Sequence, residues 1–144
     1  MKIVVLIQAA ATLMMAGITW FAQVVHYPLL GLVGSEAFVA YKTANMDQTT
    51  LVVVPLIAAE GVTALMLVWR RPGRIRLRHA LVGVGLLAVI WLSTGFSQVP
   101  MHEVLTGGFD PAAHRYLVLS NWIRTAAWSA RSVLVLWMAG RMED

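Results

Sequence analysis

Four runs of about twenty apolar residues, at 3–25, 49–69, 80–99 and 116–140, limit what this chain can fold into more than any other feature. A helix of about that length is what crosses a hydrocarbon layer ~30 Å thick. The first and third runs carry no charge, the second carries only Glu60, and the fourth carries Arg124 and Arg131. Composition agrees with a lipid-facing surface. The chain is 59% hydrophobic and 12% charged, with a mean hydropathy of +0.73, whereas a water-facing domain is nearer half apolar and a quarter charged. The expected fold is therefore all-α: an integral membrane antiparallel four-helix bundle forming one domain over 1–144, with its surface against the lipid bilayer. Lys2 and Ala9-Ala10-Ala11 have the outline of a secretory leader. The apolar run nevertheless continues to Val25, beyond the 7–15 residues of a leader core, so a retained span is expected.

The basic residues set an orientation. The second connection reads Arg70-Arg71-Pro72-Gly73-Arg74-Ile75-Arg76-Leu77-Arg78-His79, and four spans would put it on the same side as Lys2 and Arg141. The opposite connections hold Lys42 and Arg115 against Glu36, Asp47, Glu103 and Asp110. The positive-inside rule then places both termini and the arginine connection in the cytoplasm of a bacterium, with the protein in its inner membrane. The same cluster accounts for the pI near 10.1. It reads first as a topology signal, with anionic lipid as the functional alternative, and nucleic acid is not an expected partner. The absence of cysteine excludes disulfides, thiolate catalysis, Cys-ligated zinc and iron–sulfur clusters. In the first outer connection, 30–48, Ser35 is expected to cap a short helix carrying Phe38 and Tyr41, which would lie on the membrane surface or over the bundle mouth. Gly107-Gly108 and Asp110-Pro111 mark the turn of the second.

Ionisable groups inside a span cost ~2.5–3.5 kcal/mol each on insertion scales and usually face the bundle interior. They point to function more directly than anything else in the sequence. Asn121, Arg124, Trp128 and Arg131 are spaced 3, 4 and 3 and form one helical face. An ion pair between Glu60 and one of the two arginines is expected, and depth alone does not choose between them. Glu60 reads equally well as a register-fixing paired carboxyl and as a proton carrier or ligand contact.

Trp91, Thr94, Gln98 and His102 continue one face of the third run, Gln23 and His26 lie near the outer end of the first, and His114 precedes the fourth. His26, His102 and His114 thus gather on the outer side, while His79 is expected to be solvated. Converging imidazoles suit copper, another transition metal or haem, with Glu103 or Asp110 completing a shell. Interfacial histidines also serve as plain hydrogen-bonding groups, and no tight ligand motif such as His-Glu-x-x-His is present. Trp20, Trp69, Trp122 and Trp137 fit interfacial belts, whereas Trp91 and Trp128 are expected to line the interior. Pro55 and Pro100 are expected to loosen local helix and free carbonyls.

Three stretches carry a resemblance: Trp20-Phe21-Ala22-Gln23-Val24-Val25-His26-Tyr27-Pro28-Leu29-Leu30; Trp91-Leu92-Ser93-Thr94 through Gln98-Val99-Pro100-Met101-His102; and Asn121-Trp122-Ile123-Arg124-Thr125 with Trp128-Ser129-Ala130-Arg131. They resemble a broad group of small bacterial four-span membrane proteins, some labelled anthrone-oxygenase-like. The resemblance implies a four-helix membrane fold and oxygen-dependent oxidation of polycyclic phenols by polar and aromatic side chains without a cofactor. It transfers no catalytic role to a particular residue.

These readings combine into a bundle with a polar pocket opening outward, binding a small amphiphilic or aromatic ligand and acting as an oxidoreductase. Glu60, His102 and Arg124 are the candidate catalytic residues. Gln23, His26, Trp91, Gln98, Asn121, Trp128 and Arg131 are the candidate ligand contacts, and His26, His102 and His114 the candidate metal ligands. Arg124 would hold an anionic or carbonyl oxygen, and His102 or Glu60 would move a proton. Two other classes fit the same residues: a non-catalytic accessory protein held in a homo-oligomer or by a larger membrane partner, and a proton-coupled transporter using Glu60.

Overall fold

The computed structural model describes residues 1–141, and all its regular elements are helical. Four long helices follow one another: α1 (Lys2–Leu30), α2 (Ser35–Trp69), α3 (Leu77–Thr106) and α4 (Pro111–Gly140). The links at 31–34, 70–76 and 107–110 are short, so sequential helices run antiparallel. α1 packs against α2 and α4, α3 packs against α4, and the seam between α2 and α3 is the lightest. Three helices, α1, α2 and α3, are long and apolar enough to cross a membrane. α4, with 30 residues, matches them in length but not in composition, because it carries Arg115, Arg124 and Arg131 along with His114 and Asn121.

Polar and apolar groups are arranged inside out. Gln8, Thr12, Thr19, Gln23, Lys42, Glu60, Thr63, Gln98, Asn121, Thr125 and Arg131 are all buried. Phe21, Leu51, Phe96, Leu119 and Val133 are among the many large apolar side chains left exposed. α4 follows the same rule: it turns Asn121, Thr125, Trp128 and Arg131 inward and shows Tyr116, Leu119, Ile123, Val133 and Leu136 outward. Its low apolarity is therefore an interior property.

Along the bundle axis the core alternates. An apolar layer of Val4, Val5, Leu67, Ile75, Ala80 and Met138 closes the end next to the arginine connection. A second, of Met15, Ala16, Ile90, Ala127 and Trp128, lies in the middle. A third, of Tyr27, Leu30, Phe38, Leu105, Ala113 and Leu117, closes the opposite end, here termed the histidine end. The polar side chains lie between these layers. α1 shows the register directly: Val4–Val5, Gln8–Thr12, Met15–Ala16, Thr19–Gln23 and Tyr27–Leu30 succeed one another on its buried face, at the three-to-four spacing that keeps side chains on one side of a helix.

Two features differ from the sequence expectation. The first outer connection contains no separate short helix. Nothing between Ser35 and Val54 breaks a helix, so α2 begins at Ser35 and runs unbroken for 35 residues, through Pro55. Gly34, in extended conformation, occupies the cap position, and Ser35 caps nothing. Phe38 consequently enters the core with no exposure instead of lying on a surface, while Tyr41 stays outside.

The second difference is a pair of π-helical turns, Ala22–His26 in α1 and Thr94–Gln98 in α3. Each is followed at its second residue by a proline, Pro28 or Pro100. A proline ring collides with the carbonyl four residues earlier, which is Val24 or Phe96 and lies within the widened turn. The loosening expected at Pro100 is there, with an unforeseen counterpart at Pro28, whereas Pro55 leaves its helix regular.

Candidate functional site

The lower polar layer centres on Glu60, which is fully buried. Its Oε1 accepts from Thr12 Oγ1 at 2.5 Å and from Arg131 Nε and Nη2 at 3.3 and 3.2 Å. Its Oε2 accepts from Trp128 Nε1 at 3.0 Å. Arg131 Nη1 donates to the carbonyl of Gly83. One carboxylate and one guanidinium thereby join α1, α2, α3 and α4 at a single point. Thr63 continues the network, donating to Gln8 Oε1 at 2.5 Å, and Gln8 Nε2 contacts Thr12 Oγ1 at 3.4 Å. The ion pair expected of Glu60 is thus made with Arg131, and it is the one ion pair among the described residues. Both oxygens of Glu60 are occupied, which is the arrangement that makes a buried pair tolerable.

The upper polar layer is built by the two π turns, each of which turns a glutamine inward against α4. Gln23 Nε2 donates to the Val118 carbonyl at 3.1 Å, and Gln23 Oε1 accepts from Asn121 Nδ2 at 2.9 Å. Gln98 Nε2 donates to Ser120 Oγ at 2.7 Å, and Gln98 Oε1 accepts from Arg124 Nη1 at 3.3 Å. The Arg124 guanidinium also lies 5.3 Å over the Trp128 ring, within cation–π range. Two atoms in this layer are shut away from solvent without a hydrogen-bond partner: Asn121 Oδ1, an acceptor, and Arg124 Nε, a donor.

Above it, Lys42 is buried with no exposure, and its Nζ donates to His102 Nδ1 at 2.5 Å. A ring nitrogen that accepts from an ammonium carries no proton, so the proton of neutral His102 is on Nε2. Nε2 faces the Tyr27 hydroxyl at 3.4 Å. Lys42, His102 and Tyr27 therefore form a chain from α2 through α3 to α1. The sequence reading placed Lys42 among the charges of an outer connection, and the unbroken α2 is what carries it inside.

The remaining expected contacts divide. Trp128 is fully buried, but Trp91 is 47% exposed and covers Gly61 of α2 from outside, where an added Cβ would meet its ring at 3.1 Å. Trp91 therefore lines no interior site. Of the residues expected to line an outward-opening pocket, Gln23 bonds to Asn121 and Gln98 to Arg124, so part of their hydrogen-bonding capacity is used within the protein. Among the described residues no three His, Cys, Asp or Glu side chains gather to hold a metal ion. His102 is engaged by Lys42 and Tyr27, and His114 donates through Nε2 to the Tyr27 carbonyl at 2.7 Å. His26 tilts against Tyr27 with ring centroids 5.6 Å apart. The three histidines do share one end of the bundle, where His102 and His114 direct ring nitrogens to protein partners. His79, expected to be solvated, packs edge-on to Trp137 at 4.4 Å.

Sequence reasoning missed Thr12, Gln8, Thr63, Tyr27 and Lys42. Gln8 and Thr12 carried a signal: with Thr19 they repeat at helical spacing within an otherwise apolar run, which marks an inward face. Comparison with family models, with curated proteins and with solved structures found no match for this chain.

Proposed function

We propose that this chain is a four-span protein of the bacterial inner membrane whose histidine end holds an oxygen of a small amphiphilic aromatic ligand. The observation that carries the reading is the pair of cations there. Lys42 is fully buried and Arg124 half-buried, and neither makes an ion pair among the described residues. An uncompensated cation away from water is costly, and an anionic or carbonyl oxygen between such groups offsets that cost. The orphaned Arg124 Nε donor beside the Gln98–Arg124 bond suits the same oxygen.

The chemistry follows from the hydrogen-bond chain. A proton given by the Tyr27 hydroxyl to a ligand oxygen is replaced from His102 Nε2, while His102 Nδ1 takes one from the Lys42 ammonium, and the reverse sequence takes a proton from the ligand and recharges Lys42. The likeness to anthrone-oxygenase-like proteins supplies a substrate class, a polycyclic phenol, with dioxygen as the oxidant. Glu60, with both oxygens occupied by Thr12, Trp128 and Arg131, serves the fold better than it serves as a carrier.

The test uses Lys42→Met and Arg124→Gln. Organic extracts of the purified wild-type protein should contain an oxygen-bearing aromatic amphiphile, depleted about tenfold in either variant, as expected for loss of one charge-assisted bond. Lys42→Met should also raise the melting temperature of ligand-free protein, because it removes a buried, unpaired charge. Identical extracts together with an unchanged or lowered melting temperature would refute the proposal.

A further inference from the structure

The arginine end holds a cavity of about 480 Å³, lined by Gly73, Arg74, Arg76, Arg78, His79, Trp137 and Arg141. Among the described residues its lining contains four guanidinium groups and no carboxylate. A topology signal needs positive charge in the connection but does not need that charge to converge. Here it converges selectively. Arg70 and Arg71, in the same connection, take no part in the lining, and Arg71 instead caps the α2 terminus by donating to the Val68 carbonyl at 3.0 Å. Arg141 arrives from the far end of α4, 63 positions beyond Arg78 in the sequence (141 − 78), and stacks at 5.1 Å over Trp137.

Three further observations point to an anion. α3 starts at Leu77 with Arg76 in the cap position and no side chain bonded to its first N–H groups. A long helix leaves those donors and the positive end of its dipole directed towards the connection. His79 Nδ1 is shut away without a partner, while Arg78 Nε donates to its Nε2 at 3.4 Å. Nδ1 therefore carries the proton and is a free donor. The volume, finally, is that of a small-molecule site, ~300–1,000 Å³, and far exceeds one water or a halide.

We infer that this cavity binds a phosphate-bearing anion: the phosphate of an anionic phospholipid headgroup, or a free phosphate compound of similar size. Guanidinium forks match phosphate oxygens in pairs. Tryptophan walls suit the interfacial depth at which headgroups lie. Arg74, Arg76 and Arg141 supply the charge, Trp137 fixes Arg141, and the amides at the start of α3 complete the cradle.

The experiment titrates purified full-length protein in neutral detergent with phosphatidylglycerol, phosphatidylcholine and inorganic phosphate at one fixed salt concentration, with bound lipid counted by native mass spectrometry. Wild type should bind phosphatidylglycerol at least about tenfold more tightly than phosphatidylcholine, from roughly fivefold per arginine. Arg74→Gln/Arg141→Gln should abolish that preference, while Arg70→Gln/Arg71→Gln, which removes the same charge outside the cavity, should retain it. Circular dichroism establishes that both variants are folded. A preference insensitive to millimolar inorganic phosphate assigns the ligand to a lipid headgroup. A preference displaced by inorganic phosphate assigns it to a free phosphate compound. Equal loss in both double variants, or no preference in wild type, overturns the inference.

Discussion

Glu60 and Arg131 concentrate the cost of this interior in two side chains. Each is buried to within 1% of complete, and each bonds to more than one helix. Breaking such a pair by removing one partner leaves a charge that water cannot reach, which costs about 3–5 kcal/mol. Arg131→Gln and Glu60→Gln are therefore each expected to lower unfolding free energy by that amount, and the double variant to recover most of it. Denaturant titration in detergent, arranged as a double-mutant cycle, measures the coupling. A coupling energy near zero would show that the two groups do not depend on one another. At this scale the sequence was informative wherever a charge interrupted an apolar run, because that contrast is visible without a structure. It was silent on the choice between Arg124 and Arg131, which depends on how α2 and α4 slide past each other. It was silent on Lys42 for another reason: a lysine beyond an apolar run looks solvated until the helix carrying it is known to turn inward.

Among the elements, α4 depends most on its ends and its polar contacts, being the least apolar helix. Asp110 caps it, accepting from the Ala112 and Ala113 N–H groups at 2.8 Å each, with Pro111 preformed for the first turn. Asp110→Ala should cost about 1 kcal/mol and Asp110→Asn much less. Comparative thermal unfolding of the two variants checks this, and equal melting temperatures for Asp110→Ala and wild type would contradict it. The Asp110-Pro111 signal was legible because capping is local. The extent of α2 was not: apolarity marks where a helix meets lipid, whereas a helix continues for as long as nothing breaks it, here to Ser35. The π turns were hidden too. Pro28 and Pro100 advertise a disturbance, but whether a helix kinks, as proline often requires, or widens depends on what the freed residues can bond, and here Gln23 and Gln98 find α4.

For the whole molecule, the inside-out distribution is the property from which the rest follows. Buried polar layers alternate with apolar ones, and an apolar surface encloses them along the helices. That much was written in four apolar runs and a handful of polar interruptions. The side-chain pairing of the upper layer and the cavity at the opposite end were not, since both arise from contacts between residues distant in the chain, such as Gln23 with Asn121 and His79 with Trp137. The central claim is that the bundle crosses the membrane with the arginine end in the cytoplasm and the histidine end outside. The absence of native cysteine makes the decisive measurement clean. Gly34→Cys lies in the link before α2 and Gly73→Cys in the arginine connection, and both positions have open space for a side chain. Each single-cysteine protein is treated with a membrane-impermeant maleimide in intact bacterial cells whose outer membrane has been permeabilised, and again after lysis. The expected result is labelling of Gly34→Cys in both conditions and of Gly73→Cys only after lysis. Labelling of both sites before lysis, or of Gly73→Cys alone, would contradict it.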